Sequence, residues 1–321
     1  MGIRHLNKYL IKNCKKKSIE KKHISVLQDK FIVIDTSIYL YKFQSQNALH
    51  ENFYLLISLF HKYNITPIFV FDGKPPIEKL DELDKRRNMK NEAEEKYKLL
   101  NNHLNTTTND QEKEDIILEM SKLKDQFVRI SEKDIKSIKE IMDAYGVQYY
   151  HADGEADREC ALIMSRTNCY ACMSDDMDMF VYGCNRIIRN LNLHDETIMI
   201  YKLDEILYDL NLSFPLFKQI TILSGTDYNI YDHDNNLFET LKWYREFKKE
   251  DVNKCGDYVF YEWLQENTKY IKNITSLINV HNMFIIDNIE LKLSFDNIQI
   301  NKNFNMTRLQ EIMKNYGFIF T

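Results

Sequence analysis

Glycine and proline are scarce in this chain: its 321 residues include only 8 glycines and 4 prolines. No segment therefore resembles a flexible linker, and the sequence marks no clean domain boundary. No apolar run approaches the roughly 20 residues of a membrane-spanning helix, and the N-terminus lacks the apolar segment of a signal peptide. We expect a soluble, intracellular protein without a membrane partner.

Cysteine and positive charge are also limited. The six cysteines are scattered, and Cys169 and Cys172 form one C-x-x-C without a second pair or a nearby histidine, which favours buried reduced thiols over a zinc site. The net charge of −5 and the pI near 6.0 do not by themselves indicate a nucleic-acid-binding protein. Acids gathered at a metal site would lower the total while basic residues cluster elsewhere, so such binding would depend on local patches.

Carboxylates, in contrast, follow several apolar segments. The runs 31–35 and 68–72 are short and apolar and end in an acid, a pattern typical of buried parallel strands whose carboxyl ends meet at one edge of a sheet. The run 169–173 leads to Asp176 and Asp178, which share a face if the backbone is extended. Seven acids occupy such positions: Asp35, Asp72, Glu155, Asp157, Asp176, Asp178 and Asp227.

Each of these acids alone could be a turn former or a helix cap, since Asp favours both. Seven converging carboxylates are different, because without cations they would repel one another and destabilise the fold. Hard divalent ions such as Mg²⁺ or Mn²⁺ remove this repulsion and prefer oxygen ligands. The pattern therefore predicts an oxygen-lined metal site.

Strand and helix patterns alternate over residues 2–150, which predicts an α/β protein with a parallel sheet. A polar insert at 77–130 interrupts them and predicts two helices joined by a flexible tip at 105–110; a solvated helical hairpin is the alternative interpretation. Ser131 and Asp134 fit a capping box that starts a helix, and Gly146 ends it. After Asp178 we expect two strands, near 186–191 and 197–201. Mainly helices should follow them.

Several motifs resemble one known family, the flap endonucleases of the structure-specific 5′ nuclease group. They are MGI at 1–3, DTSIYLYKF at 35–43, VFDGKPP at 70–76, GEAD at 154–157, DDMD at 175–178 and LSGTDY at 223–228, in the family's order and with similar spacing. The resemblance implies one nuclease domain with a PIN-like core, in which a mostly parallel sheet is flanked by helices. Its expected parts are 1–76 and 131–230 for the core, 77–130 for a helical arch, and 231–321 for a helical C-terminal region.

The resemblance also implies two Mg²⁺ ions per site, for which Mn²⁺ can substitute. Asp35, Asp72, Glu155 and Asp157 would surround one ion, and Asp176, Asp178 and Asp227 the other. Asp157 departs from the family's usual Glu and is one methylene shorter, a gap that water could fill.

From the arch, Lys79 and Arg86 would reach the scissile phosphate, and they lie two helical turns apart on one face. Arg87 and Lys90 would contact phosphates less directly. Tyr41 matches a residue that stacks on a base beside the cleavage site, although a core tyrosine fits its position equally well. Tyr39 and Phe43 are expected to pack in the core.

The implied activity is hydrolysis of DNA at 5′ flaps, nicks or gaps, with endonuclease and 5′-3′ exonuclease modes, in replication, repair or recombination. A non-catalytic scaffold for branched DNA and a 5′-3′ exoribonuclease are the alternatives. We expect a monomer, in the nucleus for a cellular protein or at the viral replication site in the host cytoplasm for a large-DNA-virus protein. Gln310, Met313 and Tyr316 match part of a sliding-clamp box, but Gly317 stands at its second aromatic position.

One departure concerns the downstream duplex. Family members bind it with a glycine-rich turn and a monovalent cation, but residues 229–236 contain no glycine. Four cations at helical spacing in the next helix could replace that turn, unless they form an ordinary solvated face: Lys242, Arg245, Lys248 and Lys249.

We therefore predict that K⁺ has little specific effect on duplex binding, because backbone amides and carbonyls reach the required turn easily only with glycine. Duplex affinity measured in Na⁺ and in K⁺ at matched ionic strength should be equal. Lys248→Ala with Lys249→Ala should lower the salt dependence of binding. A K⁺-specific gain in affinity would contradict the first expectation, and an unchanged salt dependence the second.

Overall fold

Apolar runs form the centre of one seven-stranded sheet. The computed structural model describes residues 2–107, 109–229, 236–250, 256–287, 289–291 and 304–320. The strands are β1 (Ile19–His23), β2 (Phe31–Asp35), β3 (Thr66–Phe71), β4 (Gln148–His151), β5 (Ala171–Met173), β6 (Arg186–Asn192) and β7 (Thr197–Lys202). Their order is β1-β7-β6-β5-β2-β3-β4. The five strands from β6 to β4 are parallel, whereas β7 and β1 are antiparallel to their neighbours.

Helices cover both faces of the sheet. In the N-terminal half they are α1 (Leu6–Asn13), α2 (Thr36–Ser45), α3 (Leu49–Lys62), α4 (Leu80–Thr106), α5 (Asp110–Lys124), α6 (Glu132–Tyr145) and α7 (Ala156–Arg166). They continue with α8 (Asp178–Val181), α9 (Leu203–Leu210), α10 (Phe214–Leu223), α11 (Leu237–Lys249), α12 (Val259–Asn267), α13 (Ile274–Met283) and α14 (Met306–Lys314). The expected mostly parallel α/β core is confirmed. None of the described helices is long and apolar enough to cross a membrane.

Alternation along β2 divides the core into two layers. Ile32 and Ile34 point to one face of the sheet, where they join a cluster formed largely by α2, α3, α6 and α14. Val33 points to the other face and joins a larger cluster that includes α1, α7, α10 and α12. All three side chains are fully buried, and each contributes roughly 1.5–3 kcal/mol through the burial of apolar surface. Because both faces are covered, the central strands carry no polar side chain until they reach their carboxyl ends.

The α4–α5 hairpin, residues 80–124, occupies the polar insert. Its helices contact each other through Ile116, Met120 and Leu123, which are buried on α5, and through Ala93 on α4. At its base, Arg129 forms an ion pair of 2.9 Å with Glu94, and Lys90 Nζ donates to the carbonyl of Val128 at 3.1 Å. The two helices expected from the sequence are thus present and are tied together next to the sheet.

Free thiols lie in the larger core layer. Cys160, Cys172 and Cys184 are buried and unpaired, and Cys172 Sγ lies 3.3 Å from Met179 Sδ. Burial raises the pKa of Cys160 to about 12, so this thiol is unreactive while the fold is closed. Cys169, the other member of the C-x-x-C, is a free, half-buried thiol.

The capping box at the start of α6 gives a stability prediction. The Ser131 hydroxyl accepts from the Asp134 amide at 3.2 Å, and the Asp134 carboxylate accepts from the Ser131 amide at 2.8 Å. Ser131→Ala should lower the free energy of unfolding by about 1 kcal/mol, measured by equilibrium chemical denaturation. Ser213→Ala is the matched control, because Ser213 precedes α10 without a capping hydrogen bond. Equal losses in the two variants would contradict the role of the box.

Candidate functional site

The parallel strands deliver carboxylates to one edge of the sheet. Asp35 is the last residue of β2, and Asp72 follows the end of β3, which pairs in register with β2. The turn after β4 leads into α7, whose first residues bring Glu155 and Asp157 to the same edge. Glu155 is the N-cap residue of α7, so it lies at the helix entrance as the sequence predicts.

Asp35 and Asp72 are oriented by short hydrogen bonds. The Asp35 carboxylate accepts from the Ser37 amide at 3.2 Å and from the Ser174 hydroxyl at 3.1 Å. Asp72 accepts from the Ser37 hydroxyl at 2.5 Å and from the Ala156 amide at 2.8 Å. Ser37 therefore connects the two carboxylates that end β2 and β3. Burial, together with the charges of Asp72 and Asp176, raises the pKa of Asp35 to about 7.

The segment after β5 differs from its sequence interpretation. An extended backbone was expected to place Asp176 and Asp178 on one face, and this expectation was wrong. Met177 has a helical backbone (φ −83°, ψ −14°), and Asp178 begins the short helix α8. A tight turn results, in which the Asp178 amide donates to Asp176 Oδ1 at 3.0 Å. The turn leaves the two carboxylates so close that burial and, after it, the charge of Asp176 raise the pKa of Asp178.

The carboxylates of Asp157, Asp176 and Asp178 repel one another in a largely buried setting. Burial, then neighbouring acids, raises the pKa values of Asp157 and Asp178 well above the ordinary range, and burial is also the largest cause of the raised pKa of Asp176. The Oδ1 atoms of Asp157 and Asp178 have no hydrogen-bond partner in the described part of the chain. Such oxygens are costly to bury unless a cation or proton satisfies them.

The N-terminal backbone closes one side of this acidic group. Gly2 has a left-handed backbone (φ 69°), and a Cβ placed on it would lie 2.3 Å from Asp176 Oδ1 and 2.6 Å from Asp178 Oδ1. Only glycine allows the backbone to approach these carboxylates so closely. The approach is a site feature that the MGI motif contained but that we did not predict.

Two cations face the carboxylates: Lys79, in the turn before α4, and Arg86, on α4. Lys79 Nζ forms an ion pair with Glu155 and lies 3.5 Å from Asp227 Oδ2. Arg86 donates to Asp227 at 2.7 Å and to Glu82 at 2.8 Å. Burial alone would lower the pKa of Lys79, but Glu155 and Asp227 outweigh it and raise that pKa above its ordinary value. These cations partly offset the repulsion within the acidic group.

Tyr228 is a site residue that the sequence interpretation missed. Its hydroxyl donates to Glu155 Oε2, while Lys79 contacts Oε1 of the same carboxylate. The Lys79 ammonium also lies 5.8 Å from the centre of the Tyr228 ring. Its position directly after Asp227 in the LSGTDY motif was the available signal. Glu155 is thus held from two sides.

A cavity of about 820 Å³ joins these groups. Six of the seven acids line it, and Asp178 contributes through its contact with Asp176. The opposite wall is basic and belongs to the α4–α5 hairpin and its base; it consists of Lys79, Arg86, Arg87, Lys90 and Arg129. An anionic group that enters the cavity can therefore contact the cationic side chains while it lies close to the carboxylates.

Tyr41 lies at the side of the cavity. Its side chain is 43% exposed, which distinguishes it from the buried Tyr39 and Phe43 of the same helix, whose packing roles are confirmed. Lys90 Nζ lies 4.6 Å from the centre of the Tyr41 ring. A flat apolar surface next to a cation is therefore available in the cavity.

The other expected duplex contacts lie outside the cavity. Lys242, Arg245, Lys248 and Lys249 are exposed on α11. Lys242 forms an ion pair with Glu239, and Lys249 forms one with Glu246. The expectation of an unusual turn over residues 229–236 falls mostly on 230–235, which lie outside the described residues.

The donor chemistry of the acidic edge fits a hard divalent cation, because it consists of carboxylate oxygens, two of them buried without partners. Among the described residues, no three acidic, His or Cys side chains are close enough to form a ready-made set of direct ligands. Lys79 lies between Glu155 and Asp227. The residue types therefore fit a metal held partly through water.

Comparison with family models agrees with this architecture. Residues 1–93 match the XPG N-terminal domain, and residues 146–227 match the XPG I-region. The two regions cover more than half of the chain and include all seven acids. The chain therefore belongs to the XPG/Rad2-type flap endonuclease family.

Curated relatives cover the same part of the chain. Flap endonuclease 1 of Methanococcus aeolicus is 29% identical over 232 residues, which are 66% of this chain and 68% of that protein. Its counterparts in Entamoeba dispar and Drosophila mojavensis are 29% and 31% identical over 71% of this chain. The matched region spans 62% and 60% of those two proteins, so this chain corresponds to only part of their length.

Solved structures share the fold. The catalytic core of Rad2 in complex with DNA substrate superposes with a TM-score of 0.67 at 18% identity, covering 99% of this chain and 95% of that one. Flap endonuclease-1 from Methanococcus jannaschii has a TM-score of 0.56 at 20% identity and covers 94% and 96%. The PIN-like nuclease fold expected from the sequence is confirmed.

The unpartnered Asp178 oxygen gives a prediction that needs no activity. With a chelator present, Asp178→Asn should keep or raise the melting temperature, because it removes a buried, repelled carboxylate. Addition of Mg²⁺ should then stabilise the wild type more than the variant. Melting curves with and without Mg²⁺ measure both effects.

Asp209→Asn is the matched control. Asp209 Oδ1 is likewise buried without a hydrogen bond, but Lys15 Nζ lies 3.5 Å from it and Oδ2 accepts from the Ser18 hydroxyl at 2.6 Å and the Lys15 amide at 2.7 Å, so replacement of this compensated carboxylate should lower the melting temperature. A loss of the same size in Asp178→Asn would refute the idea that its charge is uncompensated.

Proposed function

We propose that this protein is a structure-specific 5′ nuclease that hydrolyses DNA phosphodiesters at flaps, nicks or gaps with the help of two divalent metal ions. The observation that supports this most is the single cavity in which acids from the sheet edge face the basic wall of the α4–α5 hairpin. Phosphate requires the cations, and metal-assisted hydrolysis requires the acids. Family membership and the DNA-bound Rad2 core are consistent with the proposal.

Metal binding would use the carboxylates in two groups, Asp35, Asp72, Glu155 and Asp157 for one ion and Asp176, Asp178 and Asp227 for the other. Such ions supply an activated water and stabilise the leaving oxygen. Mg²⁺ commonly retains several waters, which suits the spacing of these acids and the short side chain of Asp157. Mn²⁺ should substitute because it has similar ligand preferences.

Lys79 and Arg86 have two successive tasks in this proposal. In the free protein they neutralise Glu155 and Asp227. With those carboxylates occupied by ligands, Lys79 and Arg86 would be free to turn toward the scissile phosphate. There they would stabilise the negative charge that develops on the phosphate oxygens. Tyr228 would keep Glu155 oriented after Lys79 leaves it.

The α4–α5 hairpin would guide the DNA strand. With 27 residues, α4 is roughly 40 Å long, and Ala93 is its one buried residue in the described part of the chain. Arg87 and Lys90 would contact phosphates that enter beneath it, and Tyr41 would stack on the base next to the cleavage site, a contact worth roughly 1–3 kcal/mol. We propose that the protein acts as a monomer on branched or flapped DNA where DNA is replicated or repaired.

The alternatives have less support. A non-catalytic scaffold has no use for acids such as Asp157 and Asp178, whose buried and mutually repelled carboxylates destabilise the fold. An exoribonuclease would use the same acidic edge, so cleavage of matched flap, nicked, gapped and RNA substrates distinguishes it. Preference for the DNA flap supports the proposal, whereas preference for RNA overturns it.

The metal requirement is tested with Asp176→Ala. Cleavage of a DNA flap should need Mg²⁺ or Mn²⁺ and should be abolished in the variant, because Asp176 belongs to one proposed ligand group and its charge also acts on Asp35 of the other. Gel analysis of product with and without chelator measures this, and unchanged melting in chelator verifies the fold. Full activity of Asp176→Ala, or of the wild type in excess chelator, would exclude the two-metal assignment.

The basic wall is tested by rate and affinity together. Lys79→Ala and Arg86→Ala should each reduce single-turnover cleavage by about 10²-fold or more and change DNA affinity much less. Lys74→Ala is the control, because Lys74 is exposed and does not line the cavity. Equal losses of rate and affinity would instead identify Lys79 and Arg86 as ordinary phosphate contacts.

A further inference from the structure

Positive charge is concentrated at the start of the chain. Residues 4–22 contain eight Lys or Arg and only one acid, Glu20, although the whole protein has a net charge of −5. No role in the site described above uses these residues. Such a local excess of one sign is typical of a surface that binds a polyanion.

The structure arranges part of this charge as a strip along α1. Leu6 and Leu10 bury the inner side of the helix, while Lys8 and Lys12 are exposed one turn apart. Arg4 precedes them and Lys16 follows them, and both are exposed. We call Arg4, Lys8, Lys12 and Lys16 the α1 basic strip. None of the four forms an ion pair within the part of the chain that the structure describes.

Neighbouring lysines behave differently. Lys15 lies 3.5 Å from the Asp209 carboxylate, and Lys17 forms an ion pair of 2.8 Å with Glu205, so α9 neutralises these two. Lys22 lies 3.6 Å from Glu20 on the edge strand β1. A strand edge commonly carries lysine to prevent pairing with other chains. Neither explanation applies to the strip on α1.

The strip starts at the candidate active site. Gly2 contacts Asp176 and Asp178, and α1 begins four residues later. At its first turn, the His5 ring lies 5.7 Å from the ring of Phe238 on α11. Beyond its other end, the Tyr208 ring is 73% exposed, with Lys15 Nζ 5.5 Å from its centre. The strip thus leads away from the carboxylates next to α11, which carries Arg245 and Lys248.

Spacing along the strip suits a nucleic-acid backbone. Lys8 and Lys12 are four helical residues, or roughly 6 Å, apart. Phosphates of one strand of duplex DNA rise about 3.4 Å each along the axis but also wind around it, so successive phosphates lie farther apart than this rise and the two lysines can contact neighbouring phosphates.

We propose that the α1 basic strip binds the phosphate backbone of one duplex arm of the DNA substrate, beyond the cleavage site. This inference rests on the proposed nuclease function and adds a second contact surface to it. The strip lengthens the footprint of the protein without touching the reacting phosphate. Affinity should therefore depend on the length of the duplex arm that lies over α1.

The test uses the full chain with Lys8→Glu and Lys12→Glu together. Lys133→Glu with Lys136→Glu is the matched control, since these lysines are also exposed and unpaired in the described residues but lie on α6, at the opposite face of the sheet. The probes are flap DNAs in which each duplex arm in turn is about 6 or about 18 base pairs, roughly 20 or 60 Å long. Binding is measured by fluorescence anisotropy in chelator over a range of salt.

The wild type should bind more tightly when one particular arm is lengthened, and the α1 variant should lose about tenfold or more of its affinity for that long-armed DNA. Its log–log salt slope should shrink by roughly 2, one unit for each lost phosphate contact. Affinity for the short-armed DNA and single-turnover cleavage of it at saturation should match the control. Lys8→Gln with Lys12→Gln should reproduce the change in slope without added negative charge.

Two results would overturn the inference: no gain from either longer arm in the wild type, or an α1 variant with the affinity and salt slope of the α6 control. The proposed function can fail separately. If the wild type cleaves no DNA with Mg²⁺, the nuclease proposal is wrong whatever the salt slopes show. If it cleaves normally while the slopes are unchanged, only the role of the strip is refuted.

Discussion

Repulsion among carboxylates at the end of a buried parallel sheet is the constraint on which the rest of the structure depends. The central strands β2 and β5 are apolar up to their carboxyl ends because both faces of the sheet are covered there, so the first polar side chains after them lie at one edge. Asp157 and Asp178 have buried oxygens without partners there. A fold with this edge needs positive charge nearby, and the segment from Lys79 to Arg86 brings it. The hairpin is therefore part of the electrostatics of the core as well as a cover for the cavity.

This arrangement connects stability with ligand binding. Lys79 and Arg86 stabilise the free protein by lying against Glu155 and Asp227. Under the proposed function, ligands that occupy these carboxylates would free the two cations for phosphate. The base of the hairpin stays attached through Lys90 and Arg129, so the cations can change partners while their helix remains in place. Tyr228 limits the accompanying movement of Glu155 because its hydroxyl holds the second carboxylate oxygen.

Much of the sheet could be predicted from the sequence, because apolar runs such as 31–35 determine buried strands through local composition. The acids at their ends could be predicted for the same reason, and the family motifs supplied the expectation, still a prediction, that Lys79 and Arg86 act on the scissile phosphate. The turn after β5 was interpreted wrongly, since a hydrogen bond from the Asp178 amide to Asp176 competes with the extended backbone. The close approach of Gly2 and the contact of Tyr228 could not be derived, because they join segments distant in sequence. Residues 19–23 contain no apolar run, because β1 lies at the edge of the sheet and its residues are partly or fully exposed.

The buried thiols of Cys160, Cys172 and Cys184 can report local opening of the core. They lie on β5, α7 and the turn after α8, the elements that carry Asp157, Asp176 and Asp178. An alkylating reagent can reach them only while this part of the core is open, so the rate of their modification measures how often the acidic edge loosens. A ligand bound to the acidic edge would slow the labelling although it does not contact the sulfur atoms. A mass spectrometer could thus follow events at the carboxylates through residues that take no part in them.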